Sequence, residues 1–452
     1  MREHQTRKTP ASLVVSAIEE DGTIVETVYR PEAGETALVV ARDGVIETLS
    51  EWKVGNTTYV PVRASNNLLK HRALLLPSQP VEYGDVGTLL ADIESYITRY
   101  VRLSPEAVGL SAAYVLLSWV YDAFNELPYL RFRGDYGTGK TRALLIIGSL
   151  CHKAFFASGA STVSPIFHTL DTFKGTLIFD EADFRFTDEK AELVKILNNG
   201  NAKGFPVLRT QVTPQKEFDP RAFVIFGPKI VGMRRAYDDR ALESRFLTVE
   251  MESGHATGVP INLPDVQKEE ALYLRNKLLM YRLRTRLSVR LDPALADPSL
   301  EPRMNQILLP LLSVVPGDAL RTAIGDMARG LQAGIVAERG ATTEGQLLAI
   351  LAKFLTDADR TVSLGEITEA FAAEHGRDYE RPIVNRWIGS VLRRLGVALY
   401  KSNGVFVLLP GQHERIAALC VRYGVGDIAG ENPAEAVFQG DREIGSSGEG
   451  AR

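Results

Sequence analysis

Over residues 12–63 apolar and polar positions alternate with a period of two. Ser12–Ile18 and Thr23–Tyr29 flank Asp21-Gly22, and Thr36–Val40 and Gly44–Leu49 repeat the pattern around Arg42-Asp43-Gly44, so the spacing predicts β-hairpins. Pro77 and Pro80 mark a connector, after which the period lengthens to that of helices over residues 86–101 and 105–124. Tyr129-Leu130-Arg131-Phe132 reads as a short strand. From there to residue 251 strands alternate with helices, the pattern of an α/β core with a parallel sheet. Residues 265–340 read as helical throughout, and 344–409 as helix, short strand, helix, helix and hairpin. Gly430–Arg452 is polar and glycine-rich, the composition of a disordered tail. The expected domains are a small β-rich N-terminal domain (1–82), an α/β core with its leading helices (83–262), a helical segment (263–341), a helix–helix–hairpin unit (342–411) and a C-terminal helix with the tail (412–452).

Composition narrows the class. At 452 residues the chain exceeds one compact core, and 45% hydrophobic residues suffice for several. A formal net charge of −4 means that any nucleic-acid contact must use local basic patches instead of a global field. Cys151 and Cys420 are too few and too far apart for a disulfide framework or a metal site, which favours a reducing compartment. Met1-Arg2-Glu3-His4-Gln5 lacks the apolar stretch of a signal peptide, and no apolar run reaches the length of a membrane span. The expectation is a soluble, cytoplasmic protein without a membrane partner.

The strongest chemical signal is Gly134-Asp135-Tyr136-Gly137-Thr138-Gly139-Lys140-Thr141, with Arg142 opening the helix that follows. The form G-x-x-x-x-G-K-T between a strand and a helix predicts a phosphate-binding loop for ATP, with residues 134–142 as candidate contacts. Its glycines let successive N–H groups turn inward, Lys140 reaches the β- and γ-phosphates, and the Thr141 hydroxyl ligates Mg²⁺. Some forty residues on, Leu177-Ile178-Phe179-Asp180-Glu181 is an apolar strand ending in two acids. A nucleotide hydrolase needs one carboxylate for the Mg²⁺ shell, assigned to Asp180, and one to polarise the attacking water, assigned to Glu181. Asp183 reads as a helix-entry group. In Asp239-Arg240-Ala241-Leu242-Glu243-Ser244-Arg245-Phe246 an arginine at the end of a short helix could reach a neighbouring subunit's γ-phosphate, although spacing alone allows an ordinary surface pair.

Taken together, the phosphate loop, Leu177–Glu181 and Leu242-Glu243-Ser244-Arg245-Phe246 resemble an AAA+ ATPase. The Ser-Arg-Phe match is similar to minichromosome-maintenance-type helicases. Pro128–Phe132 leading into the loop, and Phe226-Gly227-Pro228-Lys229, are similar to AAA+ replication helicases of phages, plasmids and chromosomal islands. The short segment between Ser158 and Lys174 brings the chain closer to superfamily 3 helicases. The resemblance covers residues 85–410. It implies an α/β AAA+ P-loop core with a helical lid over 263–341 and a C-terminal winged helix over 342–411. It also implies ATP and Mg²⁺ as cofactors, and a homo-oligomeric ring, expected as a hexamer, with nucleotide between subunits. Arg245 is then the trans-acting finger, with Arg240 as the alternative, and Arg303 in Glu301–Gln306 the lid's sensor-2 arginine. The strand Phe223–Phe226 should end in a polar sensor-1 residue. The chain has Gly227-Pro228-Lys229 there, so Lys229 or a later side chain takes that role, or γ-phosphate sensing is altered.

Between Glu181 and Phe223 the resemblance places a DNA-facing hairpin. Lys203 is similar to the lysine of the family's Lys-Ala-Gly-Ile segment, and Lys203, Arg209 and Lys216 are candidate contacts for backbone phosphates. In the C-terminal unit, Pro382–Leu395 carries Arg386, Arg393 and Arg394, and the hairpin around Ser402-Asn403-Gly404 carries Lys401; such units enter DNA grooves or dock proteins. Three functions remain in play. The first is a ring-forming, ATP-driven DNA helicase or translocase that replicates a mobile element, holding single-stranded DNA in its channel, with duplex as a second substrate and a primase-polymerase or recombinase as partner. The second is an AAA+ remodeller or loader that does not unwind. The third is a nucleotide-dependent scaffold.

Overall fold

A computed structural model of the chain describes residues 11–180, 188–212, 218–237, 239–252, 258–355 and 360–426. The alternating N-terminal segments form β1 (Ala11–Val14), β2 (Ser16–Ile18), β3 (Ile24–Arg30), β4 (Glu35–Arg42), β5 (Val45–Leu49), β6 (Trp52–Val54) and β7 (Thr57–Pro61). Asp43 and Gly44 take the positive φ (50° and 79°) that a two-residue hairpin turn requires. The stretch expected as one strand over 12–18 breaks at Val15 because its halves serve different sheets. β1 pairs in parallel with β7, and β2 pairs antiparallel with β3.

Helices α1 (Asn67–Lys70), α2 (Val86–Tyr100) and α3 (Pro105–Val120) follow. Ser104 caps α3 by accepting the Ala107 N–H, and Pro105 fits its first turn. Every residue from Ala107 to Val120 is buried, so α3 is a core helix, apolar on all sides. Each fully buried leucine, such as Leu116 or Leu117, contributes about 1.5–3 kcal/mol.

The core then runs β8 (Tyr129–Arg133), α4 (Lys140–Gly148), β9 (Phe155–Ser158), α5 (Val163–Phe173), β10 (Leu177–Asp180), α6 (Asp188–Asn199), β11 (Val207–Val212), β12 (Phe218–Phe223), β13 (Lys229–Met233), α7 (Arg240–Glu243) and β14 (Phe246–Glu250). Five strands form one sheet in the order β14-β8-β13-β10-β9, all parallel, as the alternation of residues 129–251 predicts. β11 and β12 stand outside it as an antiparallel hairpin, registered from Val207↔Phe223 to Val212↔Phe218. The expected sheet strand at 223–226 is therefore corrected. Phe223 closes the hairpin, and the sheet strand begins after Pro228, at Lys229, and ends at Met233.

Helices α8 (Val266–Thr285), α9 (Pro302–Leu312) and α10 (Asp318–Gly340) come next. Residues 286–301 interrupt the expected continuous helix, because Asp292-Pro293 and Asp297-Pro298 push the backbone out of the α region. The remainder is α11 (Thr343–Phe354), β15 (Val362–Ser363), α12 (Leu364–His375), α13 (Asn385–Arg394), β16 (Tyr400–Ser402), β17 (Val405–Leu408) and α14 (His413–Tyr423), with a small sheet in the order β15-β17-β16. The chain divides into two compact units, 1–328 and 329–452. The second has its own core, in which Leu347, Leu351, Phe371, Ile388, Leu392 and Ile416 pack together. Among the described residues no helix is long and apolar enough to cross a membrane. The expected tail at 430–452 lies outside them.

Within the first unit a buried ionic cluster fastens the N-terminal sheet to the α/β core. Glu26 of β3 accepts hydrogen bonds from Arg282 Nε of α8 at 2.6 Å and from Ser16 Oγ at 2.5 Å, and lies 2.9 Å from Lys153 Nζ. Arg282 also donates to Asp122 at 3.0 and 2.9 Å and to the Trp119 carbonyl at 2.7 Å. Glu26, Lys153 and Arg282 are each at most 2% exposed at the side chain, which makes the cluster obligatory, since an unpaired charge there would be very costly.

Candidate functional site

The site grows from the carboxyl end of β8. After Arg133 the chain turns through Gly137 (φ 74°) and Gly139 (φ 90°), a left-handed backbone that points successive N–H groups inward before α4 begins at Lys140. Gly134 is required sterically, since a Cβ there would lie 2.6 Å from the Met251 carbonyl and 2.9 Å from Thr138 Oγ1. Within the loop, Thr138 Oγ1 donates to the Asp135 carbonyl at 2.9 Å and the Tyr136 N–H to Asp135 Oδ1 at 2.7 Å. Lys140 folds over this frame, donating from Nζ to the carbonyls of Gly134 at 2.8 Å and Asp135 at 2.6 Å.

The sheet brings the second half of the site to the first. β10 lies two strands from β8, and its last residue, Asp180, accepts a hydrogen bond from Thr141 Oγ1 at 2.7 Å, across thirty-nine positions of sequence. A hydroxyl and a carboxylate oxygen, side by side at the mouth of a phosphate-type loop, are the hard oxygen donors that Mg²⁺ takes. The crevice outside the carboxyl ends of parallel strands is also where open α/β sheets hold ligands. Glu181, Asp183 and Lys216 lie outside the described residues. A cavity of 280 Å³, lined by Thr141, Leu145, Phe156, Ser158, Ser161 and Asp180, adjoins the pair on one side.

Gly232 in β13 keeps that pair in place. A Cβ at this position would sit 2.8 Å from Leu144 Cδ1 and 3.1 Å from Asp180 Oδ1. Gly232→Ala is expected to push the carboxylate off Thr141 and weaken Mg²⁺-dependent nucleotide binding by roughly ten- to a hundred-fold. A Mg²⁺ titration of a fluorescent nucleotide reads this directly; an unchanged Mg²⁺ response in the variant contradicts it.

Other expected contacts are placed elsewhere. The Arg142 guanidinium faces the chain beyond β14, donating to the carbonyls of Pro260, at 2.6 Å, and Ile261, so it is tied to backbone and not aimed at the phosphate loop. Lys229 is at the amino end of β13, opposite the loop. It is fully buried and donates to the carbonyls of Gly200, Ile225 and Gly227 at 3.1, 2.9 and 3.0 Å, and burial pushes its pKa down to about 7. Lys229 therefore cannot take the sensor role; it clamps the two chain segments that flank the β11–β12 hairpin. The residue that leaves the sheet beside the phosphate loop is Arg234. Its signal in the sequence was plain, the first charge after the apolar run Ile230–Met233, but assigning the strand to 223–226 hid it.

Arg245 precedes β14, whose first residue pairs with the first residue of β8, so it lies at the far end of the sheet from its own loop, roughly 13 Å of strand away. Its guanidinium is half-buried and engaged: Nε donates to Asn201 Oδ1 at 2.9 Å, and Nη1 to Asn198 Oδ1 at 2.9 Å and to the Ala241 carbonyl. Burial, and then the nearby charge of Arg303, lower its pKa. Arg303, in the first turn of α9, thus lies beside Arg245, and its buried Nε has no hydrogen-bond partner among the described residues. Arg240 is exposed on the first residue of α7. That helix is held to the sheet by a part-buried bidentate pair, Arg131 to Glu243 at 2.5 and 2.7 Å.

Lys203 and Arg209 each engage a partner within the chain. Lys203 Nζ donates to the Asp122 carbonyl at 3.0 Å, and Arg209 pairs with Glu192 at 3.0 Å over the Phe167 ring. Arg221, its cross-strand partner, pairs with Asp171 at 3.5 Å. In the second unit, Arg394 pairs with Glu344 at 3.0 Å, whereas Arg386, Arg393 and Lys401 are exposed.

No family model matches the chain, and no curated protein matches it. Among solved structures it is similar to the A form of the NrS-1 C-terminal region (11% identity, TM-score 0.36, covering 85% of this chain and 96% of that one). It is similar also to the SCCmec type IV Cch active helicase (10%, TM-score 0.38, 90% and 80%). A full-length MCM homolog from Methanopyrus kandleri matches at 12% identity and TM-score 0.34, over 66% of this chain and 67% of that one.

Proposed function

We propose that this protein is a ring-forming, ATP-driven DNA helicase or translocase, serving the replication of a mobile element. The observation that carries the proposal is the 2.7 Å contact of Thr141 with Asp180 at the mouth of a glycine loop whose lysine already reaches over it. In this reading Lys140 binds the β- and γ-phosphates. Thr141 and Asp180 hold Mg²⁺, which draws charge from the phosphate oxygens when bound. Glu181 polarises the attacking water.

Arg245 and Arg303 stand too far along the sheet to serve their own loop, which supports their action on a nucleotide held by a second copy; Arg240 remains the alternative finger. Arg245 would leave Asn198 and Asn201 to do so. The second unit is proposed as a winged helix that meets DNA through Arg386, Arg393 and Lys401. Lys203 and Arg209 would each exchange an internal partner for a phosphate. That internal engagement favours one second reading, an AAA+ loader or remodeller that binds DNA or protein without unwinding.

A forked duplex tests both. Strand separation by wild type, lost in Lys140→Ala and Arg245→Ala, is the result expected of a helicase; DNA-stimulated hydrolysis without separation points to the loader. In addition, mixed Lys140→Ala and Arg245→Ala subunits are expected to regain part of the wild-type ATPase, about a quarter in a random mixture if each active seam needs one intact loop and one intact finger. A mixture no more active than either variant alone counts against shared sites.

A further inference from the structure

We infer that the β16–β17 hairpin of the second unit is a stacking site for the unpaired bases of single-stranded DNA, with Tyr400 serving one face of the hairpin and Phe406 the other. The inference rests on the reading of this unit as DNA-binding and deepens it, naming the form of DNA and the residues that select it.

Charge marks the stretch first. Between Glu380 and Glu414 the sequence holds no acidic residue but four arginines and one lysine, a formal charge of +5 in a chain whose net charge is −4. Arg381, Arg386, Arg393 and Lys401 are exposed, and Arg394 is paired with Glu344. A surface of this kind attracts a polyanion and offers nothing on its own stretch to repel one.

The hairpin adds the second feature. Asn403 and Gly404 take positive φ (47° and 83°), the tight turn that fixes register, and Tyr400 pairs with Val407, Lys401 with Phe406 and Ser402 with Val405. Cross-strand partners share a face and successive residues alternate between faces. Tyr400, Val405 and Val407 therefore lie on one face, and Lys401 and Phe406 on the other. At its base the hairpin is covered, since Val407 and Leu408 are buried where β17 pairs with β15. Towards the turn it is bare: Tyr400 is 47% exposed, Phe406 50%, and Val405 is exposed between them and the turn. Neither ring belongs to the core of the unit.

Bare rings among cations select the ligand. In a duplex the bases stack on one another, so a basic surface meets only phosphates and groove edges. An unpaired strand offers base faces to rings and phosphates to cations at the same time. Lys401 stands directly across from Phe406 on the same face, so a single nucleotide can meet the ring through its base and the ammonium through its phosphate.

Two measurements on the full chain test this. An oligothymidylate carrying iodouracil, irradiated with the wild-type protein, is expected to crosslink to the peptide that contains Tyr400 and Phe406, a readout that needs no variant. In fluorescence anisotropy, Tyr400→Ala combined with Phe406→Ala should weaken an oligothymidylate by about five-fold or more, while a blunt duplex of the same length stays within about two-fold. Tyr400→Phe, which keeps the ring, should bind as wild type does. An abasic strand, which keeps the phosphates and lacks the bases, should not distinguish wild type from the double variant. If wild type binds the single strand, but the crosslinks map elsewhere and the double variant keeps that affinity, the stacking site is wrong while DNA binding stands, and the bare rings belong to a protein-docking face. A double variant that weakens single strand and duplex alike also overturns it. If wild type binds neither form of DNA, the DNA-binding reading fails and takes this inference with it.

Discussion

Replacing Lys140 with alanine is expected to lower ATP turnover by about two to three orders of magnitude, the effect of removing one preorganised donor from developing negative charge. The loop itself should survive. Lys140 binds only the carbonyls of Gly134 and Asp135 in the described structure, at the solvent-facing mouth of the site. The loop's shape comes from the left-handed glycines 137 and 139 and from the Thr138 hydroxyl on the Asp135 carbonyl. Stability should therefore change by less than about 1 kcal/mol, as for most exposed substitutions. Phosphate release from Mg²⁺-ATP, measured beside a denaturant melt of the same sample, separates the two effects. Activity above about a tenth of wild type would remove Lys140 from the chemistry.

The largest stability effect is expected at Glu26, far from the loop. Glu26→Gln preserves shape but leaves Lys153 in the interior without its carboxylate and Arg282 with Asp122 alone, a change worth about 3–5 kcal/mol. The same cluster sets the acid limit of the fold. Burial alone would raise the Glu26 pKa, but the charges of Lys153, Arg282 and His152 outweigh it and hold the carboxyl well below its ordinary range. Because the folded pKa is depressed, the stabilisation is complete above the unfolded value near 4.5 and is lost as pH falls through the folded one. His152 adds to this from higher pH. Burial, with Lys153 nearby, lowers its pKa to about 4 against the opposing pull of Glu26, whose Oε2 lies 3.5 Å from Nε2. Below pH 6.5 the unfolded chain takes up a proton that folded His152 refuses, so stability declines from there towards pH 4. Urea midpoints of wild type and Glu26→Gln between pH 4 and 8 check both statements. A Glu26→Gln unfolding free energy within about 1 kcal/mol of wild type at pH 7.5 would mean that the cluster is not what fastens the N-terminal sheet.

Some of this could be read from the chain alone, and the failures have a common cause. The strand–loop–helix at 129–148 and the apolar strand ending in Asp180 were legible, because both are local patterns of glycine spacing and hydrophobic run. The interruption at 286–301 was legible too, in Asp292-Pro293 and Asp297-Pro298, but the helical composition on either side outweighed it. The assignment of the sheet strand to 223–226 failed because β12 and β13 are separated only by residues 224–228, and a period-two pattern does not say which of two adjoining segments joins the sheet. That single shift moved attention to Lys229, which the fold buries as a clamp, and away from Arg234. Charge, motif and position mark Arg142, Lys203 and Arg209 as candidate contacts, yet their directions are set by acceptors elsewhere in the fold: Pro260, Asp122 and Glu192.

By itself, then, the sequence determined that a glycine-turned, lysine-bearing loop joins a strand to a helix, that a strand ending in Asp180 follows, and that α/β segments are flanked by β-rich and helical ones. These depend on backbone conformations that neighbouring residues impose. Tertiary structure alone decided that β13 lies between β8 and β10, that Arg234 meets Tyr136 while Arg245 and Arg303 gather at the opposite end, and that Glu26 anchors the N-terminal sheet. Those outcomes depend on which surfaces bury one another and which charges must then be matched, and such pairings join residues up to 256 positions apart, beyond the reach of any local pattern.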